Sequence, residues 1–133
     1  MSSTFRLEIV TPERLFFNEQ VEMLIFKTPS GEIGILKDHA PVVAAVISSS
    51  IRIKQNGEWR TAAVASGFAE VLGDIVVLLV DTAEWPEEID INRALEAKKR
   101  AEERLQKALN IQEHAQSQAA LSRALARLSV KKP

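Results

Sequence analysis

Residues 84–94 read EWPEEIDINRA, and two kinds of sequence meet in this stretch. The chain before it alternates short apolar runs with turn residues, whereas the chain after it is rich in helix-forming residues. Pro86 prevents a regular strand or helix from continuing through it, because its nitrogen carries no proton. Asp90 is a good N-cap, since its side chain can accept hydrogen bonds from the free N–H groups that follow. The stretch therefore predicts a linker that leads directly into a helix.

The first half of the chain predicts a β domain. Apolar and polar residues alternate over short segments, which are separated by turn signals such as Asn56-Gly57 and Gly73-Asp74. This pattern predicts about nine short strands without a helix, as in an antiparallel sandwich or barrel. One run, residues 41–47, is almost entirely apolar, and we expect it to be buried on both faces. The predicted strands cover residues 4–10, 15–17, 21–27, 33–36, 41–47, 51–54, 62–65, 68–72 and 75–80.

The second half predicts a helical hairpin. Alanine and leucine recur at intervals of three and four residues over about 91–109 and again over about 113–129. We expect two antiparallel helices joined by a turn near residues 110–113. Because alanine buries little apolar area, the hairpin should be weakly stable and able to leave the β domain or open into a longer helix. The predicted domains are a β-sandwich over 1–85 and a helical hairpin over 86–133.

Charge is divided unevenly between the two halves. Residues 1–89 carry 7 Lys/Arg and 13 Asp/Glu, a net charge of −6, and residues 90–133 carry 10 and 5, a net charge of +5. The simplest interpretation is that long helices need solvated charged faces; the alternative is that the basic tail meets an anion or an acidic partner. Nucleic acid is a poor candidate, because the tail has no aromatic residue to stack on bases and the acidic half would repel phosphate.

The sequence contains no motif that is typical of a catalytic site or a metal site. The chain has no cysteine, which excludes disulfides, thiolate zinc sites and a cysteine nucleophile. His39 and His114 lack the spacing of a zinc or nucleophile motif, and residues 31–34 lack the lysine of a phosphate-binding loop. We therefore expect neither an enzyme nor a metal site. The first ten residues contain no signal peptide or membrane span, so membrane association is expected only through partners.

Five arginines of the tail follow helical spacing. Arg93 and Arg100 are seven residues apart, with Arg104 one turn further along, and Arg123 and Arg127 are four apart. If the helices are antiparallel, both rows could face one groove, where a triphosphate would accept paired hydrogen bonds. The spacing alone favours the simpler alternative of an ordinary solvated face.

Two motifs give the chain a resemblance to a known family. Residues 29–41, PSGEIGILKDHAP, followed by residues 66–68, SGF, resemble the signature loop and strands of the epsilon subunits of bacterial F-type rotary ATP synthases. Residues 89–94, IDINRA, are similar to the Ile/Leu-Asp-x-x-Arg-Ala motif of the ATP-binding members. The resemblance covers nearly the whole chain. It implies an α+β fold, in which an N-terminal antiparallel β-sandwich is followed by a C-terminal two-helix antiparallel hairpin.

The resemblance also implies a place in the rotor stalk of the proton-translocating ATP synthase. Such a chain would be a non-catalytic, peripheral subunit at the cytoplasmic face of the bacterial cell membrane. Its sandwich would couple the gamma subunit to the c-ring, with Glu32 and His39 in the loop that faces the c-ring. Its hairpin would fold on the sandwich or extend along gamma towards the catalytic beta and alpha subunits, where it inhibits ATP hydrolysis.

The same resemblance implies that ATP is a regulatory ligand. Asp90 and Arg93 belong to the motif, and Glu84 matches an acidic residue near the base. Arg123 and Arg127 match two phosphate contacts. Mg²⁺ is compatible with such a site but is not required by the sequence. ATP that binds only the folded hairpin would relieve the inhibition by shifting the population. The implied ATP-binding residues are Glu84, Asp90, Arg93, Arg100, Arg123 and Arg127.

Two other classes of protein stay open at this point. One is a free-standing β-sandwich binding module, whose basic hairpin docks on an unrelated acidic partner protein. The other is an enzyme, which the missing catalytic motifs make the weakest of the three. Binding to a gamma or beta subunit, or any turnover by the purified chain, distinguishes among them.

Overall fold

The computed structural model describes residues 3–131 and contains ten strands, one short 3-10 helix and two α-helices. The strands are β1 (Phe5–Val10), β2 (Leu15–Val21), β3 (Met23–Thr28), β4 (Gly31–Ile35), β5 (Val42–Val46), β6 (Ser49–Gln55), β7 (Glu58–Val64), β8 (Gly67–Val71), β9 (Ile75–Val80) and β10 (Ala83–Glu84). The 3-10 helix is Pro86–Glu88, and the α-helices are α1 (Ile91–Lys107) and α2 (Ile111–Val130).

The strands form two five-stranded sheets. The first has the order β2-β1-β9-β8-β5, and the second has the order β10-β7-β6-β3-β4. All strand pairs are antiparallel except β1 with β9, which is parallel. One apolar core contains residues of both sheets, and the two helices follow. The predicted α+β fold, a sandwich followed by a helical hairpin, is confirmed.

The core is built from every second residue of the strands. On β1, Phe5, Leu7 and Ile9 are at most 1% exposed, and on β6 the same is true of Ile51 and Ile53. The residues between them point away from the core, as the two-residue period of a strand requires. Burial of these large apolar side chains supplies the main driving force for folding of the sandwich.

The expectation that residues 41–47 are buried on both faces is wrong. β5 is the edge strand of the first sheet and pairs only with β8. Val46 is buried, but Val43 is 68% exposed, and Phe68 on the neighbouring β8 is 58% exposed. A run of valine and alanine cannot specify whether both faces of its sheet are covered, because that depends on how distant parts of the chain pack. The outer face of the first sheet consequently carries an exposed apolar patch around Val43 and Phe68.

α1 begins at Ile91, as predicted, but the turn between the helices lies earlier than predicted. α1 ends at Lys107 instead of near 109, and α2 begins at Ile111 instead of near 113. Ala108 has an extended backbone (φ −63°, ψ 125°), which stops α1. The side chain of Asn110 accepts from the backbone N–H of Glu113 at 2.8 Å and so caps α2 two residues earlier than expected.

The hairpin contacts the second sheet through the C-terminal part of α2. Ala126 packs against Ala63 of β7 and Ile89 of the linker in a small cluster separate from the sandwich core. Nζ of Lys131 donates a hydrogen bond of 2.9 Å to the backbone oxygen of Pro86. The contact between α2 and β7 joins two alanines and buries little apolar area, so it fits a weakly attached hairpin; its ability to leave the sandwich stays a prediction.

Candidate functional site

A cleft of about 490 Å³ lies between the linker and the two helices. It is lined by five of the six residues that the resemblance assigns to ATP, and these come from β10, the linker, α1 and α2. A volume of this size suits a small-molecule ligand. The five residues are Glu84, Asp90, Arg93, Arg100 and Arg127.

Asp90 is the N-cap of α1, as predicted. Its backbone is extended (φ −88°, ψ 109°), and its Oδ1 accepts from the backbone N–H groups of Asn92 and Arg93 at 3.0 and 3.2 Å. The carboxylate thus lies where the free N–H groups carry partial positive charge. Within residues 3–131, Oδ2 of Asp90 accepts no hydrogen bond, so one oxygen of this cleft-lining residue is available to a ligand.

Arg93 and Arg100 both line the cleft from α1. Seven residues of an α-helix rise about 10 Å, close to two full turns, so the two side chains share one face of the helix. In the described part of the chain, neither guanidinium lies within 4.0 Å of a carboxylate oxygen. Two cations without an internal partner are well suited to an anionic ligand.

Arg127 is the third cation of the cleft, and it has a partner. Its Nε donates to Oε1 of Glu84 at 2.6 Å, and the two side chains are 31% and 26% exposed. Glu84 lies on β10, which pairs with β7, whereas Arg127 lies in the last turn of α2. The ion pair therefore joins the hairpin to the sandwich across one end of the cleft.

The structure does not bring Arg123 into this cleft. Arg123 lies one turn before Arg127 and borders a separate small cavity, together with Ala63 and Thr82 of the sandwich side. Arg127 borders this small cavity as well, but of the two arginines it alone reaches the cleft. A contact between Arg123 and a phosphate stays a prediction.

Two acidic residues of the cleft, Glu88 and Glu96, were missed by the sequence reasoning. Glu88 accepts two hydrogen bonds of 2.8 Å from the guanidinium of Arg14, and its Oε1 also accepts from the backbone N–H of Trp85 at 2.8 Å. The hydrogen bond from Arg14 holds the pKa of Glu88 below its ordinary value, and the same bond raises the pKa of Arg14. Because Arg14 and Glu88 are 74 residues apart, no local pattern could reveal their pairing.

Trp85 attaches the linker to the sandwich. Its ring stacks on Phe16 with 4.4 Å between the centroids and meets Phe17 edge-on at 6.0 Å. The guanidinium of Arg60 lies 3.9 Å from the centroid of the Trp85 ring. The wall of the cleft that the linker provides is therefore packed as part of the sandwich.

Family models match almost the whole chain. The model of the ATP synthase delta/epsilon chain beta-sandwich domain matches residues 4–86, and that of the delta/epsilon chain long alpha-helix domain matches residues 87–132. The chain belongs to the ATP synthase delta/epsilon chain family. The resemblance inferred from the two sequence motifs is confirmed.

Bacterial members of the delta/epsilon family are similar over nearly their full length. The ATP synthase epsilon chain of Ruminiclostridium cellulolyticum is 55% identical over 127 residues, covering 96% of this chain and 95% of that protein. The epsilon chain of Caldanaerobacter subterraneus is 47% identical over 131 residues, covering 98% and 95%. The epsilon chain of Ruminococcus albus is 41% identical over 129 residues, covering 96% of each.

Solved structures share the fold of this delta/epsilon-family chain. A chain of the Euglena gracilis mitochondrial ATP synthase, solved as the OSCP/F1/c-ring assembly, matches with a TM-score of 0.82 at 21% identity, covering 97% of this chain and 81% of that one. A chain of the Tetrahymena thermophila mitochondrial ATP synthase central stalk/c-ring matches with a TM-score of 0.64 at 11% identity, covering 96% of each. Identities this low show a common fold alone.

Glu32 and His39, which the family resemblance assigns to a c-ring contact, both lie in the β4 region. Glu32 is on β4, where its Oε2 is 3.7 Å from a terminal nitrogen of Arg52. His39 follows β4 in a turn, and its Nδ1 is 2.7 Å from the backbone oxygen of Ala40. Neither side chain is buried, and their contact with a c-ring stays a prediction.

Residues 3–131 of this delta/epsilon-family chain contain no group of three or more His, Cys, Asp or Glu side chains that could hold a metal ion. Over the same residues, no helix combines the length and the apolar character that a membrane span requires.

Proposed function

We propose that this delta/epsilon-family chain is a non-catalytic subunit of the ATP synthase central stalk and that its hairpin is an ATP sensor. The folded hairpin binds ATP in the cleft beside the linker. An extended hairpin reaches along gamma towards the alpha and beta subunits and inhibits ATP hydrolysis, and ATP relieves this inhibition by favouring the folded form. The subunit is peripheral and is held at the cytoplasmic face of the bacterial membrane by gamma and the c-ring.

The single observation that carries the ATP proposal is the set of cations in the cleft of about 490 Å³. Arg93 and Arg100 have no carboxylate within 4.0 Å among the described residues, and Arg127 engages Glu84 through Nε alone. Guanidinium groups with free paired donors are matched to phosphate oxygens, which can accept two parallel hydrogen bonds. A triphosphate would therefore neutralise charges that the chain itself leaves without partners.

The acidic residues of the cleft are compatible with an anionic ligand, because three of the four are already engaged. Glu84 accepts from Arg127, and Glu88 accepts from Arg14. Asp90 caps α1 through Oδ1. Their negative charges are thus balanced by neighbouring cations or by the positive end of a helix, so they repel a phosphate less than free carboxylates would.

A base can lie beside the cations on an apolar part of the cleft. Ile89, Ala94 and Ala97 line the cleft together with the arginines. Oδ2 of Asp90 is free to accept from an exocyclic amino group, such as that of adenine. The cleft is mostly lined by charged residues, so these three apolar residues form the part on which a base can pack.

ATP bound here would favour the folded hairpin, because the cleft has walls from three parts of the chain. The linker is attached to the sandwich through Trp85, α1 contributes Arg93, and α2 contributes Arg127. When α2 leaves the sandwich, Arg127 separates from Glu84 and the cleft loses a wall. ATP at about 100 times its Kd would favour the folded form by about 2.7 kcal/mol.

The outer face of the first sheet supports docking of the sandwich on gamma. Val43, Phe68 and Leu79 are 68%, 58% and 44% exposed and belong to three adjacent strands. Phe68 is directly opposite both Ala45 and Leu79 in the sheet, so these side chains share one face. An apolar surface of this kind on a small protein commonly marks an interface. In our proposal it contacts gamma, while Glu32 and His39 approach the c-ring.

Calorimetric titration of the full chain with ATP tests the sensor proposal. The wild-type chain should bind one ATP, and Arg127→Ala should weaken binding at least about tenfold, since a charge-assisted hydrogen bond is lost. Arg104→Ala is the matched control, because Arg104 is on α1 but does not line this cleft. Absence of ATP binding, or equal binding by Arg127→Ala, would overturn the proposal.

Gel filtration with the gamma subunit tests the stalk assignment independently of ATP. Phe68→Ser should abolish coelution with gamma, because it places a polar group in the middle of the apolar face. Trp59→Ser is the control, since Trp59 is 46% exposed but lies on β7 of the other sheet. A wild-type chain that fails to bind gamma would restore the free-standing binding module as the better interpretation.

A further inference from the structure

We propose that Glu84 acts as a positioning residue for Arg127 and does not contact the base of the nucleotide. This inference rests on the proposed ATP site and refines it. The family resemblance assigns Glu84 to the base. In the structure, however, Glu84 contacts Arg127, a cation that the proposed function assigns to the phosphates. If Glu84 positions Arg127, it should affect the affinity for the phosphates and not the preference for adenine over guanine.

The hydrogen bond between Arg127 and Glu84 leaves the phosphate-binding edge of the guanidinium free. Nε of Arg127 donates to Oε1 of Glu84 at 2.6 Å. Within residues 3–131, the two terminal nitrogens of Arg127 make no hydrogen bond. These nitrogens form the edge that can donate two parallel hydrogen bonds to a phosphate. Glu84 therefore does not compete with a phosphate for this edge; it fixes the plane of the guanidinium.

The backbone of Glu84 is well placed to hold another side chain in position. Glu84 pairs with Ala63 of β7 in the second sheet, and the next residue, Trp85, is stacked on Phe16. Arg127, in contrast, belongs to α2, whose attachment to the sandwich we predict to be weak. The carboxylate of Glu84, which is fixed to the sandwich, thus orients the guanidinium of Arg127 when α2 is docked.

This ion pair is the most shielded from solvent of the three ion pairs of the described residues. The side chains of Arg127 and Glu84 are 31% and 26% exposed, whereas those of Arg14 and Glu88 are 44% and 36% exposed. A charge-assisted hydrogen bond gains strength as solvent is excluded. Glu84 can therefore restrict the rotamers of Arg127 and lower the entropy cost of binding a phosphate.

Recognition of the base is left to other groups of the cleft. Each of the two carboxylates keeps one oxygen that accepts no hydrogen bond from the described residues, but that of Glu84 is held beside the guanidinium of Arg127, whereas that of Asp90 lies at the start of α1. Asp90 also adjoins Ile89, which lines the apolar part of the cleft. Asp90 should therefore contact the base, and Glu84 should affect binding of the phosphates through Arg127.

Titrations of full-length variants with ATP, with GTP as a competitor, separate the two roles. Glu84→Gln keeps the side-chain length and an oxygen that can accept from Nε, so its ATP affinity should be close to that of wild type. Glu84→Asp keeps the charge but is one methylene shorter, so it should bind ATP no more tightly than Glu84→Gln. Glu84→Ala removes the acceptor and should bind ATP about tenfold more weakly than Glu84→Gln. The ratio of ATP affinity to GTP affinity should be the same in wild type, Glu84→Gln and Glu84→Ala.

A double-mutant cycle supplies the second readout. In an Arg127→Ala background, Glu84→Gln and Glu84→Ala should bind ATP equally, because the side chain that Glu84 positions is absent. Hydrogen exchange of the α2 amides in each variant shows whether the hairpin is still docked, so that undocking is not mistaken for loss of the positioning contact.

Two results would overturn the assignment while leaving the ATP site intact. One is a change in the ATP-to-GTP ratio on replacing Glu84, which would mean that Glu84 contacts the base. The other is a loss on Glu84→Ala that is just as large without Arg127. A wild-type chain that binds no ATP would instead overturn the proposed function, and this assignment with it.

Discussion

Arg14 and Glu88 are joined by two hydrogen bonds of 2.8 Å, and Arg14 donates a third, of 2.9 Å, to the backbone oxygen of Ala83. Glu88 in turn accepts from the backbone N–H of Trp85. The turn between β1 and β2 is thereby tied to the linker on both sides of Trp85. We expect any movement of the hairpin to begin after Glu88, because the chain up to that residue is attached to the sandwich.

Replacing Arg14 with Ala should loosen the linker with little effect on global stability. Because the Arg14–Glu88 pair is substantially exposed to solvent, its loss should lower the free energy of unfolding by at most about 1 kcal/mol. Amide exchange at residues 88–90 should nevertheless become faster. Arg14→Lys, which keeps the charge but not the bidentate geometry, should give an intermediate rate. Unchanged exchange in Arg14→Ala would contradict a role for Arg14 in fixing the linker.

The same pair predicts a dependence of stability on pH. The pKa of Glu88 is lowered in the folded chain by the hydrogen bond from Arg14. The contribution of Glu88 to stability is therefore fully present above its unfolded pKa of about 4.3 and is lost as the pH falls through the lower, folded pKa. In urea unfolding, the stability difference between wild type and Arg14→Ala should shrink from about pH 6 to about pH 3. A difference that stays constant over this range would mean that Arg14 stabilises the fold by other contacts.

Variants of Asp90 should separate helix capping from nucleotide binding. Asp90→Ala removes the cap and should destabilise the hairpin by about 1 kcal/mol, which thermal unfolding and exchange of the first turn of α1 can measure. Asp90→Asn keeps a capping oxygen but not a second acceptor, so it should retain the stability of α1. Its ATP affinity should nevertheless fall about tenfold. If Asp90→Asn binds ATP like wild type, Oδ2 does not contact the ligand.

Trp85 should be far more important for the sandwich than Trp59. Trp85→Ala removes a ring packed against Phe16 and Phe17 and should cost about 3 kcal/mol in urea unfolding. Trp59→Ala, at a position 46% exposed to solvent, should cost no more than about 1 kcal/mol. Equal losses for the two variants would show that the linker is not anchored through Trp85.

The features that could be predicted from the sequence are local. Asp90 caps α1 as expected, because an N-cap involves only the next few residues. The core positions on β1 and β6 follow the two-residue period of a strand. The sandwich and hairpin could also be expected, since the change of pattern at Pro86 separates strand-forming from helix-forming sequence.

The features that the sequence did not reveal depend on residues far apart in the chain. Val43 is exposed because it lies on the outer face of the first sheet, like Phe68 on the interior strand β8, and the sequence of a strand does not state which face is covered. Arg14 meets Glu88 only through folding. Arg123 and Arg127 are four apart and both border the small cavity beside β7, yet Arg127 alone of the two lines the cleft, because the docking of α2 on the sandwich decides which side chain reaches it.

ATP should stabilise the folded hairpin, and hydrogen exchange of the full chain with and without ATP measures this stabilisation. The amides of α1 and α2 should exchange faster than those of β1 and β6 in the absence of ATP, because the hairpin opens separately. At about 100 times the Kd, ATP should slow exchange of both helices by up to about 100-fold and leave the sandwich strands unchanged. Helices already as protected as the sandwich, or helices whose exchange ATP does not slow, would contradict the account.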